Sequence, residues 1–144
     1  MDRVLLIAFG NPLRGDDGIA WRVAQEIRRT MPGMAVLCVH QLTPELAEDA
    51  SRAGRVIFID AARNGEPGEI RCHTVPPDDR SLNFSHSLAP SQVLTICKQL
   101  YGAEPRGLLV SITGECFAHG EALSPRVIDA LSQTVTMIKK LSEC

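Results

Sequence analysis

Three uninterrupted apolar runs, set between segments with helical periodicity, constrain the fold of this chain more than any other feature. The runs are VLLIAF (4–9), VIFI at the start of VIFID (56–60), and LLV within GLLVSI (107–112), and none of them alternates apolar with polar residues. Strands of this composition are buried on both faces, which is typical of a parallel sheet covered by helices. The sequence therefore predicts an α/β sandwich around a mostly parallel sheet.

Two further strands and four helices complete this prediction. AVLCV (35–39) is a short strand, and EIRCHTV (69–75) alternates like a strand beyond a hairpin, because the turn residues NGEPG precede it. We therefore expect strand 69–75 to be antiparallel to its neighbour. Periodicity and capping residues predict helices at 18–29, 44–53, 88–101 and 125–141, with Thr43 and Ser124 as N-caps before proline and Gly102 as a stop.

Length, charge and cysteine usage exclude several classes of protein. The chain of 144 residues suits one domain spanning 1–144, and its net charge of −2 gives no support for binding nucleic acid or an anionic membrane. No apolar stretch approaches the roughly 20 residues of a membrane span. The five cysteines are scattered without a C-x-x-C pair, which favours reduced thiols. We expect a cytoplasmic protein that is a monomer.

The segment GNPLRGDDG (10–18) places two adjacent carboxylates at a predicted helix start, directly after the first strand. One aspartate is enough to cap a helix. Asp16 and Asp17 are therefore either both caps, or one of them caps the helix and the other is a metal ligand. Asp60 ends the third strand and either caps the following turn or acts as a ligand or catalytic carboxylate. The carboxyl ends of parallel strands meet at one edge of the sheet, so we expect these side chains to lie close together.

His86 is the candidate nitrogen ligand or base, although a histidine near a helix start is often structural. His119 is a minor candidate, and His40 and His73 have no better local case. The sequence contains no G-x-S-x-G, H-E-x-x-H, P-loop or G-x-G-x-x-G pattern. Two carboxylates and one imidazole suit a divalent cation such as nickel, zinc or manganese, with open positions for water or substrate.

Four segments, in the same order and at similar intervals, make the chain resemble the hydrogenase maturation proteases. They are VLLIAFGNPLRGDDGIAWRVAQEI, VIFIDAARNGEPGEI, SHSLAPSQVL and SITGECFAHGEALSP, and together they span nearly the whole chain. Members of this family are endopeptidases that trim a C-terminal extension from the large subunit of nickel–iron hydrogenases. The resemblance implies a three-layer α/β/α sandwich around a twisted five-stranded sheet.

The resemblance also implies roles for individual residues. Asp17, Asp60 and His86 match the metal-binding and catalytic positions, and Asp16 takes a supporting place as a cap or a carboxylate behind the ligands. Gly10 and Asn11 belong to the same supporting segment. Ala20 and Ala118 depart from the family pattern where a glycine and an acidic residue are usual. Both departures touch the expected substrate groove, to which we assign Trp21, Phe117 and His119.

The implied substrate is a hydrogenase large-subunit precursor that already carries nickel. Nickel would be a recognition element brought by the substrate, although other divalent metals can occupy such a site in vitro. Water would be activated either by the metal or by Asp17 or Asp60 as general base. Two alternatives remain: a non-catalytic, nickel-sensing assembly factor for the same precursor, and a relative of spore-protein proteases with another substrate.

Overall fold

The computed structural model of the chain describes residues 3–78 and 88–143. Within these ranges, strands and helices alternate along most of the chain, as the apolar runs predict. The strands are β1 (Val4–Phe9), β2 (Ala35–Val39), β3 (Arg55–Ala62), β4 (Ile70–Val75) and β5 (Arg106–Thr113). The helices are α1 (Ile19–Thr30), α2 (Leu46–Ser51), α3 (Pro90–Tyr101) and α4 (Pro125–Glu143), and a 3₁₀ helix at Gly15–Gly18 leads into α1.

The five strands form one mixed sheet in the order β2-β1-β3-β5-β4. The pairs β1–β2, β1–β3 and β3–β5 are parallel, and β4 is antiparallel to β5. The antiparallel orientation of the 69–75 strand is therefore confirmed, but its pairing in a hairpin with β3 is wrong. The apolar strand β5 lies between β3 and β4 and pairs with both of them. Residues 71–74 of β4 are exposed, which is consistent with its position at the edge of the sheet.

Helices cover both faces of the sheet, which confirms the three-layer architecture. On one face, α1 and α4 pack against alternate residues of the central strands, including Leu6, Ile57 and Val110. On the other face, α2 and α3 pack against the intervening residues, including Ile7 and Phe58. Asp60 is two residues beyond Phe58 and so belongs to the α2–α3 face, at the carboxyl end of β3.

Most element boundaries agree with the sequence, and the difference at α2 has a local cause. Thr43 and Pro44 do not open this helix: the amides of Leu46 and Ala47 donate to their carbonyl oxygens across a three-residue spacing. That spacing is a turn, so α2 begins at Leu46 rather than Pro44. Gly102 ends α3 as predicted, with a left-handed φ of 63°.

The cysteines in the described residues, Cys38, Cys72, Cys97 and Cys116, are unpaired thiols. Across residues 3–78 and 88–143, no helix combines the length and the apolar character needed to cross a membrane.

Candidate functional site

Asp17 and Asp60 lie together at the carboxyl edge of the parallel strands. The loop after β1 carries Asp17, and β3 ends its apolar run at Asp60, so the two side chains reach the same place from neighbouring strands. Both line one pocket of about 270 Å³. Its other lining residues are Phe9, Gly10, His40, Gln41, Leu42, Ala61 and Leu88.

Gly10 and Asn11 hold Asp17 in place. The backbone N–H of Asn11 donates to Oδ2 of Asp17 at 2.6 Å, and the amide of Leu13 donates to the side-chain oxygen of Asn11 at 2.9 Å. Gly10 has a φ of 154°, and a Cβ at this position would collide with the carbonyl oxygen of Asp17. The glycine is thus required because the chain passes directly against the backbone of the aspartate.

Asp60 is held from the neighbouring strand. Ser111 is its register partner on β5, and the serine hydroxyl donates to Oδ1 of Asp60 at 2.5 Å. Burial raises the pKa of Asp60 above its usual value, the Ser111 hydrogen bond opposes this rise, and the negative charge of Asp17 adds to it. The charge of Asp17 therefore reaches the Asp60 carboxylate and disfavours its ionisation.

The two carboxylates retain unused acceptor capacity. Oδ1 of Asp17 and Oδ2 of Asp60 have no hydrogen-bond partner within the described ranges. A cation between two such carboxylates would relieve their mutual repulsion, and hard oxygen donors are compatible with a divalent metal. The donor set is nevertheless incomplete, because no three His, Cys, Asp or Glu side chains in residues 3–78 and 88–143 are grouped closely enough to hold a metal ion. The predicted third ligand, His86, lies outside the described residues.

Asp16 points away from this pocket and is completely buried. Its Oδ2 accepts hydrogen bonds from the amides of Glu115 and Cys116 at 2.7 and 2.9 Å and from the Ser124 hydroxyl at 2.7 Å. Its Oδ1 accepts one from the Ser124 amide at 2.7 Å. Of the two roles predicted for Asp16, capping of the helix it begins is wrong, because the hydrogen-bond partners of its side chain in the described residues belong to the loop between β5 and α4. The other role, a supporting carboxylate behind the ligands, stays a prediction.

These contacts decide the ionisation of Asp16. Burial alone would raise its pKa, but the hydrogen bonds from Cys116, Ser124 and Glu115 outweigh burial and hold the pKa below its usual value. A carboxylate that accepts several hydrogen bonds is stabilised in its charged form, so Asp16 is a buried anion, and it has no cationic partner within residues 3–78 and 88–143.

The three residues assigned to a substrate groove occupy two different places. Trp21 donates from its indole N–H to the carbonyl of Val39 at 3.0 Å and meets the ring of His40 edge-on, with centroids 5.3 Å apart. Phe117 lies under the guanidinium of Arg63 at 4.0 Å, and His119 contacts Arg14 at 3.5 Å. Trp21 lines a second pocket with Pro12 and Leu123, and neither Phe117 nor His119 contributes to it.

Two residues at the site, one that supports Asp60 and one that lines the pocket, were not singled out from the sequence. Ser111 is the polar residue in GLLVSI, and the signal that could have found it is a hydroxyl in an otherwise apolar strand. Its use depends on the β3–β5 register, which is a non-local property. His40 lines the pocket of Asp17 and Asp60, although it directly follows β2 and was given no role.

Solved structures with the same architecture include several hydrogenase maturation proteases. HybD from Thermococcus kodakarensis superposes with a TM-score of 0.79 at 23% identity, over 96% of this chain and 98% of HybD. HycI from Thermococcus kodakarensis KOD1 gives 0.76 at 19% identity, over 99% and 93% of the two chains. HybD from E. coli gives 0.66 at 20% identity, over 96% and 93%. This chain has their fold.

The likeness is one of structure rather than of sequence. No protein-family model and no curated protein sequence matches the chain. The coverage of both chains is near-complete, so the whole α/β/α sandwich corresponds to the fold of these proteases.

Proposed function

We propose that this chain is a hydrogenase maturation protease: an endopeptidase that removes the C-terminal extension of a nickel–iron hydrogenase large-subunit precursor. The observation that carries the proposal is the pairing of Asp17 and Asp60 in one pocket. This pocket lies at the carboxyl edge of a fold shared with proteins named as hydrogenase maturation proteases. Open α/β sheets bind their ligands at this edge.

Nickel held by the precursor is the proposed recognition element. Asp17 and Asp60 each offer one oxygen without a hydrogen-bond partner in the described part of the chain, and His86 supplies the nitrogen donor. A precursor that brings a divalent cation would therefore bind more tightly than one without it, and specificity is such a difference in affinity. Docking through the metal also positions the neighbouring peptide bond for attack.

Water is activated either by the metal of the substrate or by the carboxylate, Asp17 or Asp60, that is not bound to that metal. In the protein without a metal, burial and the charge of Asp17 raise the pKa of Asp60, which favours Asp60 as the base where its Oδ2 does not bind the metal. Ser111 fixes the orientation of the carboxylate by donating to Oδ1, which leaves Oδ2 for the substrate side of the pocket.

The experiment that tests this proposal is incubation of the protein with purified, nickel-loaded precursor, followed by mass measurement of the large subunit. We expect a shortened product with the wild-type chain and none with His86→Ala, which should retain its fold by circular dichroism. Glu104→Ala is the control, because Glu104 is exposed just before β5, at the opposite edge of the sheet from the pocket, and the variant should process within about threefold of the wild-type rate.

The mass also separates the protease from a non-catalytic assembly factor, because only a protease shortens the precursor. An unchanged precursor with the wild-type chain would refute the proposed activity. Normal processing by His86→Ala would refute the three-ligand arrangement but not the proteolysis.

A further inference from the structure

We propose that Asp16 is a positioning residue that holds residues 114–124 against residues 10–18, so that the two loops form one docking surface for the precursor. The inference rests on the proposed function for the identity of the docking partner. It does not concern the carboxylates of the pocket, since the side chain of Asp16 points away from Asp17 and Asp60, and its hydrogen bonds within residues 3–78 and 88–143 go to the other loop.

The environment of Asp16 requires a group that accepts hydrogen bonds and donates none. Three backbone N–H groups, of Glu115, Cys116 and Ser124, converge on its two oxygens together with the Ser124 hydroxyl. An asparagine has nearly the same shape, but its NH₂ group would face at least one backbone N–H in either orientation of the amide. The buried site therefore selects a carboxylate, whose two oxygens accept all four hydrogen bonds.

The partners of Asp16 bracket the loop that it holds. Glu115 and Cys116 stand at the start of this loop, and Ser124 stands directly before the first residue of α4. Both ends are thus bound to a single side chain. Backbone hydrogen bonds add to this attachment: the Gly15 amide donates to Gly120, the Gly120 amide to Leu13, and the Asp16 amide to Cys116.

Residues 114–124 include Phe117 and His119, and both side chains contact residues outside this loop. Phe117 packs under Arg63, which follows β3, and His119 contacts Arg14 of the 10–18 loop. Asp17, in contrast, has its own support from the Asn11 amide and from the Arg14 carbonyl, to which its backbone N–H donates. Loss of Asp16 should therefore release the 114–124 loop while leaving Asp17 in place.

The test compares Asp16→Asn with wild type by amide hydrogen exchange and by steady-state processing of the precursor. We expect amides in 115–121 to exchange at least about tenfold faster in the variant, and the KM for the precursor to rise about tenfold. We expect kcat to stay within about twofold, because Asp17, Asp60 and His86 are intact. Ile138→Ala is the matched control: it destabilises the core under α4, far from the loop, and should leave both KM and the loop amides unchanged.

Ser124→Ala provides a milder variant if Asp16→Asn does not fold. It removes the hydroxyl donor and retains the three backbone donors, so we expect a smaller change in the same direction in both measurements. Normal loop exchange and a normal KM in the Asp16 variant, or in Ser124→Ala where only that variant folds, would overturn the inference.

The outcome for the proposed function is separate. If the wild-type chain does not shorten the precursor, the proposed activity fails, and the role of Asp16 is then decided by loop exchange and by precursor affinity in a binding assay. Faster exchange together with weaker binding would support the positioning role, and unchanged values would refute it.

Discussion

Oδ1 of Asp60 accepts a hydrogen bond of 2.5 Å from the hydroxyl of Ser111, its register partner on the adjacent strand. This contact orients a half-buried carboxylate whose charged form is disfavoured by burial and by the charge of Asp17. The charged form of Asp60 therefore lowers the stability of the fold, and such a trade-off between stability and function is common in binding sites.

Replacing Asp60 by asparagine should stabilise the fold at neutral pH and abolish processing. Burial and Asp17 raise the pKa of Asp60, so the folded state binds its proton more tightly than the unfolded state does. Stability then falls as the pH rises from the unfolded pKa through the folded one, and the penalty is complete at pH 7. Asparagine removes the charge, keeps an oxygen for Ser111, and should gain a few tenths to about 1 kcal/mol.

Thermal unfolding of Asp60→Asn and wild type at pH 7 and at pH 3 checks this prediction. The gain should be present at pH 7 and should largely disappear at pH 3, where the wild-type carboxyl is also neutral. A lower melting temperature of the variant at pH 7 would show that the charge of Asp60 stabilises the fold.

Asp16 should behave in the opposite way. Hydrogen bonds from Cys116, Ser124 and Glu115 overcome burial and lower its pKa, so its contribution is present above the unfolded pKa of about 3.9 and is lost as the pH falls through the folded pKa. At pH 7 we expect Asp16→Asn to lower the free energy of unfolding by about 2–4 kcal/mol, because buried N–H donors lose their acceptor.

Urea unfolding of Asp16→Asn across pH 7 to pH 2.5 measures this dependence. The difference between wild type and variant should be constant above about pH 5 and shrink below about pH 4. A difference that grows on acidification would contradict the assignment of Asp16 as a buried anion.

Gly10→Ala should destabilise the loop that holds Asp17. Its φ of 154° is unfavourable for alanine, and the added Cβ would collide with the carbonyl oxygen of Asp17, so we expect a loss of about 2–4 kcal/mol. Gly33→Ala is the matched control, since no atom lies within 4 Å of a Cβ at Gly33, and it should be neutral or slightly stabilising. Equal melting temperatures for the two variants would show that the loop can adapt to a side chain at Gly10.

The architecture was accessible from the sequence because its strongest signals are local. The continuous apolar runs located β1, β3 and β5, and glycine and proline punctuation located most helix ends. The strand that pairs with β4 could not be predicted in this way, because β5 begins more than 30 residues after β4 ends and lies between β3 and β4 in the sheet. The turn residues at 64–68 predicted that the chain reverses direction, but they carried no information on which strand pairs with β4.

The site was predictable to a similar extent. The edge rule for parallel sheets brought Asp17 and Asp60 together, and both line the same pocket. The partners of Asp16 and Asp60 were not predictable, since Asp16 bonds to residues about 100 positions away and Ser111 lies 51 positions from Asp60. The sequence suggested capping of the local helix for Asp16, whereas its side chain accepts hydrogen bonds from a loop that is remote in sequence.

The most direct measurement for the central claim is the C-terminal mass of a hydrogenase large-subunit precursor after incubation with this protein, in parallel nickel-loaded and nickel-free samples. We predict that the loaded precursor loses its C-terminal extension and that the nickel-free precursor keeps it, as expected if Asp17, Asp60 and His86 recognise the metal held by the substrate. Processing of both precursors at the same rate would contradict nickel recognition, and processing of neither would contradict the proposed proteolysis.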